Sequence, residues 1–112
     1  MVNFDYTPEK GDLVWLDFDP QMGHEQRGRR PAVCLSHKIY NQKVGLALFC
    51  PVTSNIKGYP FEIVLNEHSI KGCILSDQIK NLDWQKRNCN FIEKLTTEEI
   101  NSVVTNVKLM IE

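Results

Sequence analysis

One short stretch of this chain concentrates groups that can move a proton and hold an anion. It reads Gly23-His24-Glu25-Gln26-Arg27-Gly28-Arg29-Arg30-Pro31. Arginine offers a planar fork of donors matched to phosphate oxygens. A carboxylate or imidazole within reach of a hydroxyl can take its proton. Breaking a phosphodiester by attack of its own 2′-hydroxyl needs those two things: a base for the hydroxyl and positive charge for the crowded phosphorane. It demands no metal ion. Read alone, the signal is weak, because Arg-Gly-Arg-Arg is more often a generic anion patch.

Other chemistries find less support. His24, His37, His68 and the four cysteines (Cys34, Cys50, Cys73 and Cys89) include no pair at zinc-ligand spacing. Ser36 and His37 are chain neighbours, but no strand-Ser-helix elbow surrounds them. No glycine-rich phosphate loop is present. No cysteines form a C-x-x-C pair, and Cys34, Cys50 and Cys73 sit in apolar runs, so we read reduced, buried thiols. The opening Met-Val-Asn-Phe-Asp lacks a basic-then-apolar signal pattern, and no apolar run is long enough to span a bilayer. We therefore expect a cytoplasmic protein with no membrane partner.

The formal net charge is -1, which excludes a general polyanion coat; any nucleic-acid site must be a local patch. Arg27, Arg29, Arg30, Lys57, Lys80, Lys86 and Arg87 supply candidates, and acidic residues gather near the two ends of the chain.

The elements that must position these groups are mostly strands. A chain of 112 residues fits one domain, spanning 1–112, with a modest core. Strand-like runs cover Asp12–Phe18, Pro31–Ser36, Gly45–Thr53, Phe61–Asn66 and Gly72–Leu75. Gln78–Leu82 either continues the fifth run after a bend or is a separate strand. Short strands with tight turns indicate a small barrel or twisted antiparallel sheet. Thr96-Thr97-Glu98-Glu99 reads as a capping box, with Leu95 and Ile100 as a hydrophobic staple. Ile100, Val103, Val104, Val107, Met110 and Ile111 then share one face of a C-terminal amphipathic helix. The long loops Pro20–Arg30 and Ser54–Pro60 are where a rigid β scaffold would carry function. Trp15 is expected in the core, and Asp17 and Asp19 are expected to brace the first loop.

Several ordered blocks extend the pattern. They are Gly11-Asp12-Leu13-Val14-Trp15-Leu16-Asp17-Phe18-Asp19-Pro20, Gly23-His24-Glu25-Gln26, Arg30-Pro31-Ala32-Val33, Tyr40-Asn41, Pro51-Val52-Thr53, Lys57-Gly58-Tyr59-Pro60-Phe61-Glu62 and Asp77-Gln78-Ile79-Lys80. In these blocks the chain resembles the MazF/PemK family of toxin endoribonucleases, and most closely its MazF branch. The resemblance implies an SH3-like barrel with a C-terminal helix, mainly β. It implies a homodimer that cuts single-stranded RNA at short sequences without a cofactor, leaving a 2′,3′-cyclic phosphate and a 5′-hydroxyl. It also implies a cognate antitoxin with an extended acidic tail, and a heterohexamer formed with the antitoxin dimer.

Carried over by position, Glu25 is the general base, Arg30 the catalytic arginine, and Thr53 a hydroxyl on the scissile phosphate. His24 is a further catalytic candidate. Arg27, Arg29, Lys57, Tyr59, Phe61, Asp77, Gln78 and Lys80 are expected near bound RNA. The PemK branch has an arginine two residues before the position of Asp77. Leu75 stands there, which favours the Glu25/Arg30 scheme. Two alternatives are a gyrase-poison toxin of the CcdB family and a non-catalytic RNA- or protein-binding module. CcdB-type toxins work through a Trp-Gly-Ile tail, whereas this chain ends Met110-Ile111-Glu112 with no Trp after Trp84.

Overall fold

The computed structural model describes residues 6–18 and 28–112. In chain order the elements are β1 (Asp12–Asp17), β2 (Arg29–Cys34), α1 (Lys38–Val44), β3 (Ala47–Thr53), β4 (Glu62–Val64), β5 (Cys73–Leu75), β6 (Lys80–Leu82), β7 (Asn90–Lys94) and α2 (Thr97–Ile111). The strands form one antiparallel sheet of seven, in the order β4-β5-β3-β2-β1-β7, with β6 also paired to β3.

β3 organises the sheet. β2 pairs along it, with Ala32, Val33 and Cys34 opposite Pro51, Cys50 and Phe49. β6 pairs with its first half and β5 with its last residues, Val52 and Thr53. Gln78–Leu82 therefore contributes a separate strand, β6, which starts at Lys80 after the break at Asp77 and Gln78.

Strand alternation gives each inner strand two buried faces. Leu13, Val33, Cys50 and Val52 join Leu95, Ile100 and Val103 in one cluster. Val14, Leu16, Ala32, Cys34, Ala47 and Phe49 join Trp84 in the other. The helix that closes the first cluster begins as its sequence demands. Glu99 N donates to Thr96 Oγ1 at 3.1 Å, and Thr96 N donates to Glu99 Oε1 at 2.9 Å. Leu95 and Ile100 meet in the cluster as the staple requires. Truncating Ile100 to alanine would cost about 3 kcal/mol.

The structure departs from the sequence reading at several points. Trp15 is 37% exposed: it shares the face of Leu13, but the cover that buries Leu13 does not reach it. α1 has little sequence signal, because it is short and its N-cap, His37, makes no side-chain cap; Gly45, at φ +81, ends it with an N–H to Asn41 O. β7 likewise has little strand signal, since its sequence Asn-Phe-Ile-Glu-Lys is largely polar and exposed. It becomes a strand by pairing with β1.

Candidate active site

β2 begins at Arg29, so Arg29 and Arg30 stand on a strand rather than in the preceding loop. Their register partners on β1 are Asp17 and Leu16. Successive strand residues point to opposite faces, so the two arginines have different surroundings. Arg29 Nη1 donates to Asp17 Oδ1 at 2.9 Å, and Nη2 donates to Asn90 Oδ1. Asn88 Nδ2 donates to Asp17 Oδ2 at 2.7 Å, and Arg87 Nη1 donates to the carbonyl oxygens of Asp17 and Phe18. Asp17 thus braces the point where the chain leaves β1. Glu25, His24, Arg27 and Asp19 lie outside the described residues.

Arg30 is exposed on the other face. It lines a hollow of about 330 Å³ together with Pro31, Val52, Thr53, Ser54 and Lys71. Thr53 is the last residue of β3, and its Oγ1 accepts from Asn55 N at 3.2 Å. Thr53 also borders a larger hollow of about 550 Å³, whose walls include Asn55, Lys57, Tyr59, Glu62, Asp77 and Gln78. Thr53 is therefore the joint between the two. Among the described residues, the charged side chains of the first hollow, Arg30 and Lys71, are both cations. The second mixes Lys57 with Glu62 and Asp77. Two cations side by side suit phosphate oxygens, and a mixed donor-acceptor wall suits base edges.

The walls of the larger hollow are held locally. Glu62 Oε1 accepts from Gly58 N at 2.9 Å and from Lys57 N and Tyr59 N at 3.2 Å. Burial works against the Glu62 charge, but these three N–H groups outweigh it and lower its pKa. One carboxylate thereby shapes the turn carrying Lys57 and Tyr59. The rings of Tyr59 and Phe61 sit 6.0 Å apart, tilted. The carboxylate of Asp77 beside the Tyr59 hydroxyl raises that phenol's pKa. Gln78 N donates to Leu75 O at 3.1 Å, closing the turn between β5 and β6 that presents Asp77 and Gln78. Lys80 is exposed on β6, opposite Phe49, and borders neither hollow.

The cysteines are free, and all but Cys89 are fully buried. Burial pushes the Cys34 thiol up to about 11 and those of Cys50 and Cys89 to about 12. Such thiols are poor nucleophiles at neutral pH. No helix among the described residues is long and apolar enough to cross a membrane.

Set beside known proteins, residues 9–111 match the family described as PemK-like, MazF-like toxin of type II toxin-antitoxin system. This chain belongs to that family. It is 42% identical over 106 residues to the endoribonuclease toxin MazF of Escherichia coli strain K12, covering 95% of this chain and 96% of that one. A crystal structure of MazF from Deinococcus radiodurans superposes with a TM-score of 0.86 at 43% identity, over 95% of this chain and 97% of that one. A MazE-MazF structure from the same organism gives 0.84 at 38% identity, over 95% and 96%.

Within this MazF-like frame the structure gathers Thr53, Lys57, Tyr59, Asp77 and Gln78 around one hollow, and Arg30 with Thr53 around the other. Phe61 stands beside Tyr59. Leu75, at the PemK-branch arginine position, lines the larger hollow with an aliphatic side chain. Glu62 and Lys71 were not singled out from the sequence. Lys71 carries no motif, only a position before a glycine. Glu62 lies inside a recognised block, but its role is set by the fold of the turn before it.

Proposed function

We propose that this MazF-like toxin cleaves single-stranded RNA through its own 2′-hydroxyl, with Glu25 and Arg30 as the central pair. Family membership makes it an RNA-cleaving hydrolase of a toxin-antitoxin system. The observation that supports the mechanism is the hollow shared by Arg30 and Thr53, whose charged side chains among the described residues, Arg30 and Lys71, are positive.

Glu25 takes the 2′-hydroxyl proton, and the 2′-oxygen bonds to phosphorus. Charge then builds on the non-bridging oxygens, where the Arg30 fork stabilises it and the Thr53 hydroxyl donates to it. The bond to the 5′-oxygen breaks, leaving a 2′,3′-cyclic phosphate and a 5′-hydroxyl. The guanidinium fork makes Arg30 an electrostatic clamp on the phosphorane rather than a proton donor. His24 is our candidate for protonating the leaving oxygen. Arg27, Lys57, Tyr59, Phe61, Gln78 and Lys80 line the path of the flanking nucleotides, with Asp77 as an acceptor for base amino groups.

The partners follow from the same surface. A cognate antitoxin would place an acidic, extended tail where RNA phosphates go. The toxin would act as a homodimer in the cytoplasm and join an antitoxin dimer as a heterohexamer. The test is incubation of the purified protein with a long single-stranded RNA in EDTA. Discrete fragments ending in cyclic phosphate are expected. Activity that vanishes with chelator and returns with magnesium would overturn the two-residue scheme. No cleavage under any condition would favour a non-catalytic binding module.

A further inference from the structure

We propose that Lys71 is a second phosphate-binding cation of the site, contacting the RNA phosphate next to the one that is cut. This deepens the proposed function and rests on it. Lys71 lines the same hollow as Arg30 and Thr53, though it comes from a different hairpin, the β4–β5 connection. That hollow also offers the Ser54 and Thr53 side chains.

The placement of Lys71 is dictated from both sides. On one side Ile70 packs against the core cluster that holds Leu65 and Val52. On the other, Gly72 lies directly on the end of β3. A Cβ there would sit 2.2 Å from the carbonyl oxygen of Thr53, and φ is +141. Only glycine permits so close an approach of two backbones. Gly72 O also accepts from Leu65 N at 2.9 Å, tying off the loop. Further back, His68 binds Glu93 through Nδ1 and Glu99 through Nε2, the latter at 2.8 Å, which anchors the loop to β7 and α2. Lys71 thus projects from a pinned turn pressed against Thr53.

Arg30 and Lys71 divide the task by chemistry. The guanidinium fork suits the two non-bridging oxygens of the reacting phosphate. The ammonium is a point charge on a flexible stem, suited to a phosphate one step along the strand. Lys71 is therefore a binding residue, and its loss should raise KM while leaving kcat nearly intact.

The experiment uses the full-length protein and an RNA oligonucleotide spanning a mapped cut site. One form is all-ribose for cleavage. The other carries a 2′-deoxy sugar at the cut position for binding. With Lys71→Ala we expect Kd to rise about fivefold at low salt. The slope of log affinity against log salt should shrink by about 0.7, the value for one phosphate contact on a single strand. Saturating cleavage rate should stay within about twofold, and Lys71→Arg should restore the slope. A purely structural role would lower the melting temperature and leave the slope alone. An unchanged Kd and salt slope in Lys71→Ala, with wild type cleaving normally, would overturn the role of Lys71 alone. A wild type that cleaves no RNA would instead overturn the proposed activity.

Discussion

Asp17 and Arg29 face each other across the last rung of the β1–β2 pair, with Arg29 Nη1 donating to Asp17 Oδ1 at 2.9 Å. The contact holds the strand end from which Arg30 projects. Asp17 also accepts from Asn88, so replacing one of its oxygens by an amide nitrogen leaves one of the two donors without an acceptor and weakens the charge-assisted bond to the other. Both members of the ion pair are about three-quarters buried, at 25% and 27% exposure. Asp17→Asn should therefore cost about 1 kcal/mol, read as a lower denaturation midpoint. Cleavage should persist at a reduced rate. An unaltered midpoint would mean the pair contributes nothing.

Arg30→Ala should lose cleavage by roughly 100- to 1,000-fold while the protein stays folded, because Arg30 is exposed and supplies charge to the phosphorane rather than packing. Arg30→Lys should recover little, since a point charge does not replace the fork. Single-turnover cleavage beside circular dichroism checks both, and near-normal rates in Arg30→Ala would refute the scheme.

The His68 clasp should give stability a pH signature. Burial opposes the imidazolium, but hydrogen bonds to Glu93 and Glu99 outweigh it and raise the pKa of His68. Its contribution is complete below the unfolded value of about 6.5 and is lost as pH rises through the raised folded value. The pKa of Glu93 is lowered chiefly by Ser69 and His68. Burial opposes the Glu99 charge, but the Thr96 N–H and His68 lower its pKa overall. Their contributions are present above the unfolded value of about 4.3 and are lost as pH falls through the lowered folded values. The clasp is therefore strongest from about pH 4.5 to 6.5. The melting-temperature gap between wild type and His68→Gln should be wide at pH 6 and narrow by pH 9. A gap independent of pH would show that His68 acts by packing alone.

Gly72→Ala should destabilise the fold by more than about 2 kcal/mol, because the new methyl meets a backbone oxygen rather than a side chain that can move aside. The same displacement moves Thr53, so cleavage should fall together with the melting temperature. By contrast, Gly58→Ala has open space around it, and only its φ of +80 opposes the change. It should cost about 1 kcal/mol. Equal losses at the two positions would argue against the close approach.

What the sequence determined by itself is what depends on near neighbours along the chain. The capping box at Thr96 and Glu99 and the helix face through Ile100 and Val103 close within a few residues. So does the apolar run of β3, and each appears in the structure where it was expected. The ordered family blocks likewise contain Arg30 and Thr53. Tertiary structure alone decided which distant residues share a surface. β7 has a polar sequence and is a strand because β1 offers it an edge. Trp15 is exposed because burial depends on what covers a face, and strand periodicity says only which face that is. Lys71 reaches the hollow of Arg30 because β5 pairs with the end of β3 and brings Gly72 onto Thr53. Those relationships come from pairing register and close packing between segments far apart in the chain, which local propensity does not encode.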